Sequence, residues 1–254
     1  MNEASTSPCE SFDDYFSVDF AASSELRKRV YEIRYRVYCE EFGYEERDAF
    51  PGGEERDRYD AVSLHCLITH RASGRPAGCV RLVPANALPG FESLPFEEHC
   101  SASLDRAFVE ALDLDRRTVC EISRLAVDGQ FRRRPGESST RYGEPAGLDV
   151  SRQEQRSFSL ISVAPFLEAT ELTDLSGRTN VFAMMEPFLP RMLERSGIRF
   201  HRAGSDTDYH GLRAPYFIRT QDAVANMRPE LTQLYQSIYA RIRGQFGSGL
   251  KAAS

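Results

Sequence analysis

The run from Val119 to Val127 is the feature that most constrains how this chain can fold. Apart from Glu121, Ser123 and Arg124, its residues are apolar, which predicts a β-strand. A buried charge is costly unless it is paired. The run therefore predicts an interior strand whose charged side chains face partners or a substrate.

Apolar periodicity predicts the remaining elements. Leu26, Val30, Ile33 and Val37 have the spacing of one helix face, and Gly43 is expected to end that helix. Strands are predicted over 15–20, 62–69, 77–83, 119–127, 180–185, 198–203 and 216–219, and further helices over 103–112, 158–172, 187–196 and 229–243. This order predicts one α+β domain in which helices flank a central mixed sheet.

Three segments lack such patterns. Residues 1–12 are small and polar and are expected to form a disordered leader. Residues 129–155 are rich in Gly, Ser, Glu and Arg, which predicts a mobile insertion within a single domain spanning 13–245. Residues 246–254 are expected to form a flexible tail.

Composition excludes several classes of protein. The net charge of −6 argues against nucleic acid as a partner, because phosphate contacts require an extended basic face. No run approaches the roughly 18 apolar residues of a membrane span, and the first residues lack the pattern of a signal peptide. Scattered cysteines without a CxxC pair and dispersed histidines predict no metal site. We therefore expect a cytoplasmic protein without stable membrane insertion.

Polar residues that suit a site follow one another in the first half of the chain. They are Arg34 and Tyr38 one helical turn apart, Tyr44 six residues later, Asp57 and Asp60 within Glu55–Asp60, Arg81 inside the apolar run 79–83, and Glu121 with Arg124. Taken singly, each charge is explained equally well by a structural ion pair, for instance between Arg81 and Asp60.

Together, in order and spacing, these residues resemble the acyl-homoserine-lactone synthases, the autoinducer-making branch of the GNAT-like acyltransferases. That family carries R-x-x-x-F, an aromatic residue six places on, E-x-D-x-Y-D, an arginine in a strand and E-x-x-R. Phe96 stands where the family tends to place a phenylalanine. The resemblance covers residues 15–128 well and 155–245 less well. It implies a GNAT-like (acyl-CoA N-acyltransferase) fold and transfer of an acyl group to an amine.

The chain departs from that family at informative positions. Tyr38 replaces the phenylalanine, and Tyr44 stands where tryptophan is usual. The segment Tyr209–Tyr216 instead resembles the acyltransferases associated with PEP-CTERM/exosortase systems, which are related to the N-acyl amino acid synthases. That branch implies an amino acid acceptor, with S-adenosylmethionine as the alternative. His210 in this segment either borders the acceptor pocket or is an ordinary turn histidine.

The expected mechanism places Glu121 as the base that deprotonates the amine, directly or through one water. Arg34, Asp57, Asp60, Arg81 and Arg124 are expected to form an ion-pair network that orients the first helix and the acidic loop. Glu121 and Arg124 are three residues apart, so a regular strand would send them to opposite faces. We predict a β-bulge between them, as the GNAT-like resemblance also implies, and a regular ladder through Ser123 would contradict a shared site.

The acyl donor is inferred from a missing motif. GNAT enzymes that use acetyl-CoA follow this strand with Q/R-x-x-G-x-G/A, whereas residues 130–136 lack both glycines in register. Acyl carrier protein is therefore favoured over CoA as the carrier, as in the resembling families, and no cofactor is expected. Arg132, Arg133 and Arg134 either contact the acidic carrier or are merely solvated.

Two further expectations concern where the acyl chain binds and whether the protein is an enzyme. The helix at 158–172 and the strand at 181–185 are candidates to line an apolar tunnel for a fatty acyl chain, and the alternative, favoured for most of their residues, is plain core packing. A catalytically inactive relative that binds acyl carrier protein as a regulator is the alternative to an enzyme. Retention of Glu121, Arg124 and both aspartates favours the enzyme.

Overall fold

A twisted mixed sheet forms the centre of the molecule. The structure, a computed structural model, describes residues 8–132 and 160–252. The strands are β1 (Phe16–Phe20), β2 (Leu64–His70), β3 (Pro76–Pro84), β4 (Val119–Val127), β5 (Asn180–Met185), β6 (His201–Arg202), β7 (Thr207–Asp208) and β8 (Leu212–Arg219). Their order is β1-β2-β3-β4-β5-β8-β6, with β7 beside β8. The pairing of β4 with β5 is parallel and the other pairings are antiparallel, which confirms the expected α+β class with a mixed sheet.

Helices cover both faces of this sheet. They are α1 (Pro8–Tyr15), α2 (Ser24–Arg34), α3 (Pro95–His99), α4 (Arg106–Ala111), α5 (Gly129–Arg132), α6 (Ala164–Leu175), α7 (Leu189–Glu194), α8 (Thr220–Ala225) and α9 (Pro229–Ala252). Contacts place α2 against β2, β3 and β4, and α6 and α9 against the rest of the core. We call the α2 side the front face and the α6 side the back face.

Helix α2 shows how the sequence directs local structure. The Ser23 side chain caps α2 by accepting a hydrogen bond from the N–H of Leu26, and Glu25 lies in the first turn. The expected stripe is buried, since Val30, Ile33 and Val37 pack on the front face. After Arg34 the chain continues as a π-helix, Tyr35–Glu41, a geometry often found at functional sites.

Both ends of the described chain differ from expectation. Helix α1 occupies 8–15, so the disordered leader predicted over 1–12 is wrong for residues 8–12, because Phe12 is fully buried and stacks on Phe16 at 5.0 Å. Helix α9 runs to Ala252, so the flexible tail predicted over 246–254 is wrong for residues 246–252. Phe246 is held against Phe20 at 5.1 Å between ring centres.

Helix α5 lies at the start of the predicted insertion, and two strands differ in extent from their predictions. Helix α5 covers 129–132, and the remainder of the insertion predicted at 129–155 lies outside the described residues. The strand predicted over 198–203 is reduced to β6, two residues long. Strand β8 begins at Leu212, earlier than predicted, and this extension lies beside the site described below.

The sheet opens between its two central strands. Strands β4 and β5 pair only at Val119 with Asn180, Cys120 with Val181 and Glu121 with Phe182, although both strands continue beyond these residues. They therefore diverge immediately after Glu121. The divergence leaves a gap through the middle of the sheet.

A β-bulge in β4 lies just beyond this point. Ser123 pairs with Arg81 and Ala126 pairs with Cys79, so three steps along β4 match two steps along β3. Arg124 has a φ of 48°, in the left-handed region. The ladder is regular from Cys120 through Ser123, so the bulge predicted between 121 and 124 falls one step later than expected.

The later position of the bulge still brings the two charges to one face. In a regular strand Glu121 and Ser123 would share the front face, and Arg124 would point to the back face. The extra residue keeps Arg124 on the front face with Glu121, where it contacts Tyr38 and Glu55. A β-ladder that is regular through Ser123 is therefore compatible with a site shared by Glu121 and Arg124, contrary to the condition stated above.

Candidate active site

A network of buried ion pairs covers the front face beside the gap. Arg34, fully buried, donates from Nε to Glu55 at 2.5 Å and from Nη1 and Nη2 to the two oxygens of Asp60 at 2.7 and 3.1 Å. Bidentate pairing of this kind fixes both partners in orientation. Burial alone would lower the pKa of Arg34, but the two carboxylates outweigh burial and the pKa is raised.

Two further arginines extend the network toward the gap. Arg81 donates to Asp57 at 2.7 Å and to Asp60 at 3.1 Å, so the structural pair considered above is present. Arg124 Nε donates to Glu55 at 3.1 Å, and its Nη2 lies 3.2 Å from Glu45 and 3.5 Å from Asp57. Each of the carboxylates Glu55, Asp57 and Asp60 thus bridges two arginines. The α2 helix, the acidic loop and the two central strands are locked together.

The pKa values of these carboxylates follow from the pairing. Burial opposes ionisation of Glu55 and Asp57, yet the arginines outweigh burial and lower both pKa values. The pKa of Asp60 is lowered most strongly, by Arg34 and Arg81 acting against burial. All three groups therefore stay charged at neutral pH.

Glu121 is different from these acids. It is 3% exposed, and its Oε2 accepts a hydrogen bond from the backbone N–H of Phe96 at 2.9 Å. Burial raises its pKa to about 7, even though that hydrogen bond and the charges of Arg81 and Arg124 act in the opposite direction. A carboxyl group with this pKa can exchange a proton at neutral pH.

A cavity of about 230 Å³ crosses the sheet at the gap. On the front face it is bordered by polar side chains: Tyr38, Tyr44, Arg81, Glu121, Ser123, Arg124, Tyr209 and Arg213. On the back face its walls are apolar and come from α6, β5, α7 and β8, among them Phe166, Ala169, Ala183, Leu189, Met192 and Ile218. The predicted lining by α6 and β5 is therefore present. One cavity joins a charged compartment to an apolar one.

Aromatic side chains frame the front compartment. The Tyr38 hydroxyl donates to the carbonyl of Leu125 at 3.0 Å, and its ring lies 5.5 Å from the Arg124 guanidinium. Tyr44 stacks over Phe42 at 5.2 Å and lies 6.0 Å from Tyr38. These contacts fix the bulged segment of β4 against the π-helix.

His210 lies at the edge of this compartment. Its Nδ1 is 3.0 Å from the carbonyl of Tyr44 and its Nε2 is 3.5 Å from Glu45. Burial lowers its pKa, and Glu45 opposes that effect. Its φ of 55° places it in a tight turn, so it serves as a turn residue. Its contacts with Tyr44 and Glu45 also place it beside the site.

The structure brings most of the predicted residues together. Phe96 contributes through its backbone N–H, while its ring stacks on Phe182 at 5.2 Å. Arg133 and Arg134 lie outside the described residues, as does the side chain of Arg132. The described residues contain no group of three or more His, Cys, Asp or Glu side chains arranged to hold a metal ion.

Sequence reasoning missed four members of the site. Glu55 bridges Arg34 and Arg124, and it was visible as the first acid of the motif Glu55–Asp60. Tyr209 and Arg213 belong to a segment that was noticed only for its family resemblance. Burial raises the pKa of Tyr209, with Arg124 lowering it and Glu121 raising it. Glu45, in a stretch of mixed charge, carried no signal.

Comparison with known proteins identifies this architecture. Residues 33–140 match the family described as Acetyltransferase (GNAT) domain. The acyl-homoserine-lactone synthase of Agrobacterium fabrum (strain C58 / ATCC 33970) is 28% identical over 160 residues, which is 61% of each chain. The match thus spans less than two thirds of that curated relative.

Solved structures agree on the fold. TofI, in a ternary complex with an inhibitor and MTA, superposes with a TM-score of 0.55 at 21% identity, over 87% of this chain and 96% of TofI. BjaI, a CoA-dependent acyl-homoserine lactone synthase, gives 0.55 at 16% identity, over 88% and 89%. The fold is GNAT-like. FeeM, an N-acyl amino acid synthase from uncultured soil microbes, also gives 0.55 at 12% identity, over 86% and 96%.

These matches support the enzyme class expected from the sequence, an N-acyltransferase. No helix within residues 8–132 or 160–252 is both long and apolar enough to cross a bilayer.

Proposed function

We propose that this protein is an N-acyltransferase that moves a fatty acyl group from a carrier thioester to the amine of an amino acid. One observation carries the proposal: a buried carboxyl group with a pKa of about 7, Glu121, lies where β4 and β5 separate, inside a cavity that crosses the sheet. The similarity to an acyl-homoserine-lactone synthase supports acyl transfer to an amine.

The two compartments suit the two substrates. The apolar back compartment accommodates the acyl chain, because burial of methylene groups is favourable by about 0.8 kcal/mol each. The polar front compartment accommodates the small amine. The thioester carbonyl then lies in the gap between the strands, where the two compartments meet.

Glu121 serves as the general base in this scheme. It takes a proton from the acceptor ammonium, directly or through one water, and the free amine attacks the thioester carbon. The new C–N bond forms and the C–S bond breaks. The attacking nitrogen gives up its second proton, the leaving sulfur takes up one proton, and the carrier departs as a thiol. Phe96 keeps Glu121 aimed at the gap through its backbone N–H.

The developing oxyanion needs hydrogen-bond donors. Beyond Glu121 the edge of β4 that faces β5 pairs with no described strand, because the ladder between them ends there. Backbone N–H groups on that edge are the donors that we propose for the oxyanion. Arg124, held by Glu45, Glu55 and Asp57, adds positive charge nearby.

Acyl carrier protein is the proposed donor, with CoA as the alternative. The proposal rests on the missing glycines after β4. BjaI is described as CoA-dependent, which is why CoA is kept as the alternative. The proposed acceptor is an amino acid, by resemblance to the PEP-CTERM/exosortase-associated branch and to N-acyl amino acid synthases. S-adenosylmethionine is the alternative acceptor, and an inactive carrier-binding regulator is the alternative function.

The test is a turnover assay with purified protein. Acyl carrier protein and CoA thioesters of graded chain length are each incubated with the amino acids or with S-adenosylmethionine, and products are identified by mass spectrometry. We expect an N-acyl amino acid, a higher kcat/KM with carrier protein, and a kcat/KM that falls as pH drops below about 7, because Glu121 is then protonated.

Glu121→Gln should lower kcat by about 10²- to 10⁴-fold, the usual contribution of a general base. Glu110→Gln, at an exposed position on α4, is the matched control and should keep full activity. Near-normal turnover by Glu121→Gln would exclude Glu121 as the base. Carrier binding without turnover by any donor and acceptor pair would favour the regulator.

A further inference from the structure

Arg213 lines the cavity, and the scheme above gives it no role. It lies at the start of β8, where it pairs with Thr207 of β7, and its side chain lines the front compartment. The guanidinium lies 5.4 Å from the centre of the Tyr44 ring. Its Nε is buried and makes no hydrogen bond.

The other arginines that line the cavity are already neutralised. Arg81 pairs with Asp57 and Asp60, and Arg124 pairs with three carboxylates. Among the residues that the structure describes, no carboxylate lies within ion-pair distance of Arg213. A partly buried guanidinium without a carboxylate is costly in the free protein, and an anionic ligand would remove that cost.

The charge around the cavity is divided in space. The network of Arg34, Arg81 and Arg124 with Glu45, Glu55, Asp57 and Asp60 sets three positive groups against four negative ones. Glu121 adds a further negative charge once it is ionised. This end of the compartment favours an ammonium group, whereas Arg213 favours a carboxylate.

Arg213 and Glu121 line the same cavity, on its front side. Each of them acts on the pKa of the Cys100 thiol, which burial raises to about 11, with Glu121 raising it and Arg213 lowering it. Burial raises the pKa of Tyr38 and lowers that of His210, and in both groups the charge of Arg213 acts to lower the pKa. A guanidinium so placed can hold a carboxylate by two parallel hydrogen bonds.

We propose that Arg213 binds the carboxylate of the acceptor and so restricts the acceptor to amines that carry one, such as α-amino acids. This inference rests on the proposed function, since it assigns the acceptor end of the same site. Arg213 anchors the ligand at its carboxylate, and Glu121 receives the proton from its ammonium group. An amine without the carboxylate would leave Arg213 unpaired in the closed complex.

The experiment compares an amino acid with its primary carboxamide in wild type, Arg213→Met and Arg213→Lys. The amino acid is the best acceptor found in the turnover assay. We expect wild type to prefer the acid over the amide by about 10- to 100-fold in kcat/KM, the value of one charge-assisted contact. Arg213→Met should abolish that preference by raising KM for the acid while leaving the amide unchanged. Arg213→Lys should keep part of the preference.

Two controls separate this outcome from a general disturbance of the site. Arg219→Met removes an exposed arginine further along β8 that does not line the cavity, and it should keep the full preference. Thermal unfolding of each variant shows that the fold is retained. Equal losses for acid and amide in Arg213→Met, or no acid preference in wild type, would overturn the inference.

Binding provides the arm that does not depend on turnover. Calorimetric titration of amino acids and their amides, with a non-transferring acyl-pantetheine thioether present, measures the acid preference directly. Binding that favours the acid in wild type but not in Arg213→Met, in the absence of any turnover, would reject the proposed function and retain the carboxylate site. Equal or absent binding of acid and amide would reject the carboxylate site.

Discussion

The two faces of the sheet both bury ionisable side chains, but in opposite ways. On the front face, Arg34, Arg81 and Arg124 pair with Glu55, Asp57 and Asp60. On the back face, Glu168 and Glu171 of α6 are buried, and no arginine in the described part of the chain lies within ion-pair distance of them. Both oxygens of Glu168 lack a hydrogen bond, and Glu171 has one, from the hydroxyl of Tyr235 at 3.3 Å.

The difference shows what pairing does to a buried charge. Paired acids have lowered pKa values and stay ionised, so they can hold elements in fixed positions. Burial raises the pKa of Glu168 well above its usual value and that of Glu171 to about 7, so both take up protons instead. Glu121, at the gap, lies on the front face, but burial raises its pKa to about 7, as it does for Glu171 on the back face. A general base requires a pKa near the working pH.

The largest effect is expected from breaking the front network at Arg34. Arg34→Met leaves Glu55 and Asp60 as buried carboxylates without their main partner, and it should lower the free energy of unfolding by about 3–5 kcal/mol. Urea denaturation measures the change. Arg36→Met removes a half-exposed arginine from its pair with Asp128 and should cost about 1 kcal/mol or less. Similar losses for both variants would contradict the distinction between the network and an ordinary surface pair.

The same network predicts how the stability of the protein changes at acid pH. The carboxylates with lowered pKa values release protons on folding, so their stabilisation is present above the ordinary carboxyl pKa of about 4 and is lost as pH falls below it. Wild type should therefore lose stability steeply below pH 4, and Arg34→Met should lose less over that range. Parallel curves of unfolding free energy against pH for the two proteins would show that the network does not determine the loss of stability below pH 4.

Removing a buried acid from the back face should raise the free energy of unfolding, whereas breaking the front network should lower it. Glu168→Met replaces an unpaired carboxyl group by an apolar side chain of similar length, and it should raise the free energy of unfolding by about 1–3 kcal/mol at neutral pH. A raised folded pKa means that the unfolded state releases its proton first, so wild type loses stability as pH rises above about 4.5. The gain in Glu168→Met should therefore grow with pH. Glu25→Gln, exposed on α2, should show no such trend.

Glu121 should behave as the back-face acids do. Its pKa of about 7 lies above the ordinary 4.5, so ionisation destabilises the folded protein at alkaline pH. Glu121→Gln should be more stable than wild type by about 3 kcal/mol at pH 8 and nearly equal at pH 4.5, although its kcat is about 10²- to 10⁴-fold lower. Thermal or urea denaturation at the two pH values measures this. Lower stability at pH 8 would show that Glu121 is paired in the folded state.

The smallest effect concerns a neutral member of the front network. Ser123 accepts a hydrogen bond from Arg81 Nε at 3.1 Å. Ser123→Ala should cost about 1 kcal/mol or less, because Arg81 keeps Asp57 and Asp60. A loss comparable to that of Arg34→Met would mean that the hydroxyl group, and not the carboxylates, positions Arg81.

Local patterns predicted the elements whose apolar residues form a continuous run or recur at helical spacing. The limits of β4 and β5 agree with expectation, and α2 follows its apolar stripe and its serine cap. The two chain ends were predicted less well. Phe12 and Phe246 are isolated aromatic residues in polar segments, and only their contacts with Phe16 and Phe20 in the folded molecule account for the helices that carry them.

The sequence by itself determined that charges enter the central strands, that they match a GNAT-like acyltransferase pattern, and that Glu121 and Arg124 need a bulge to share a face. Only the tertiary structure decided that the bulge follows Ser123, because register depends on β3 as well as on β4. Only the tertiary structure brought Tyr209 and Arg213 to Glu121, because β8 lies beside β5 at the point where β5 leaves β4. Pairings between distant strands depend on how the whole sheet packs, and no local pattern of residues records them.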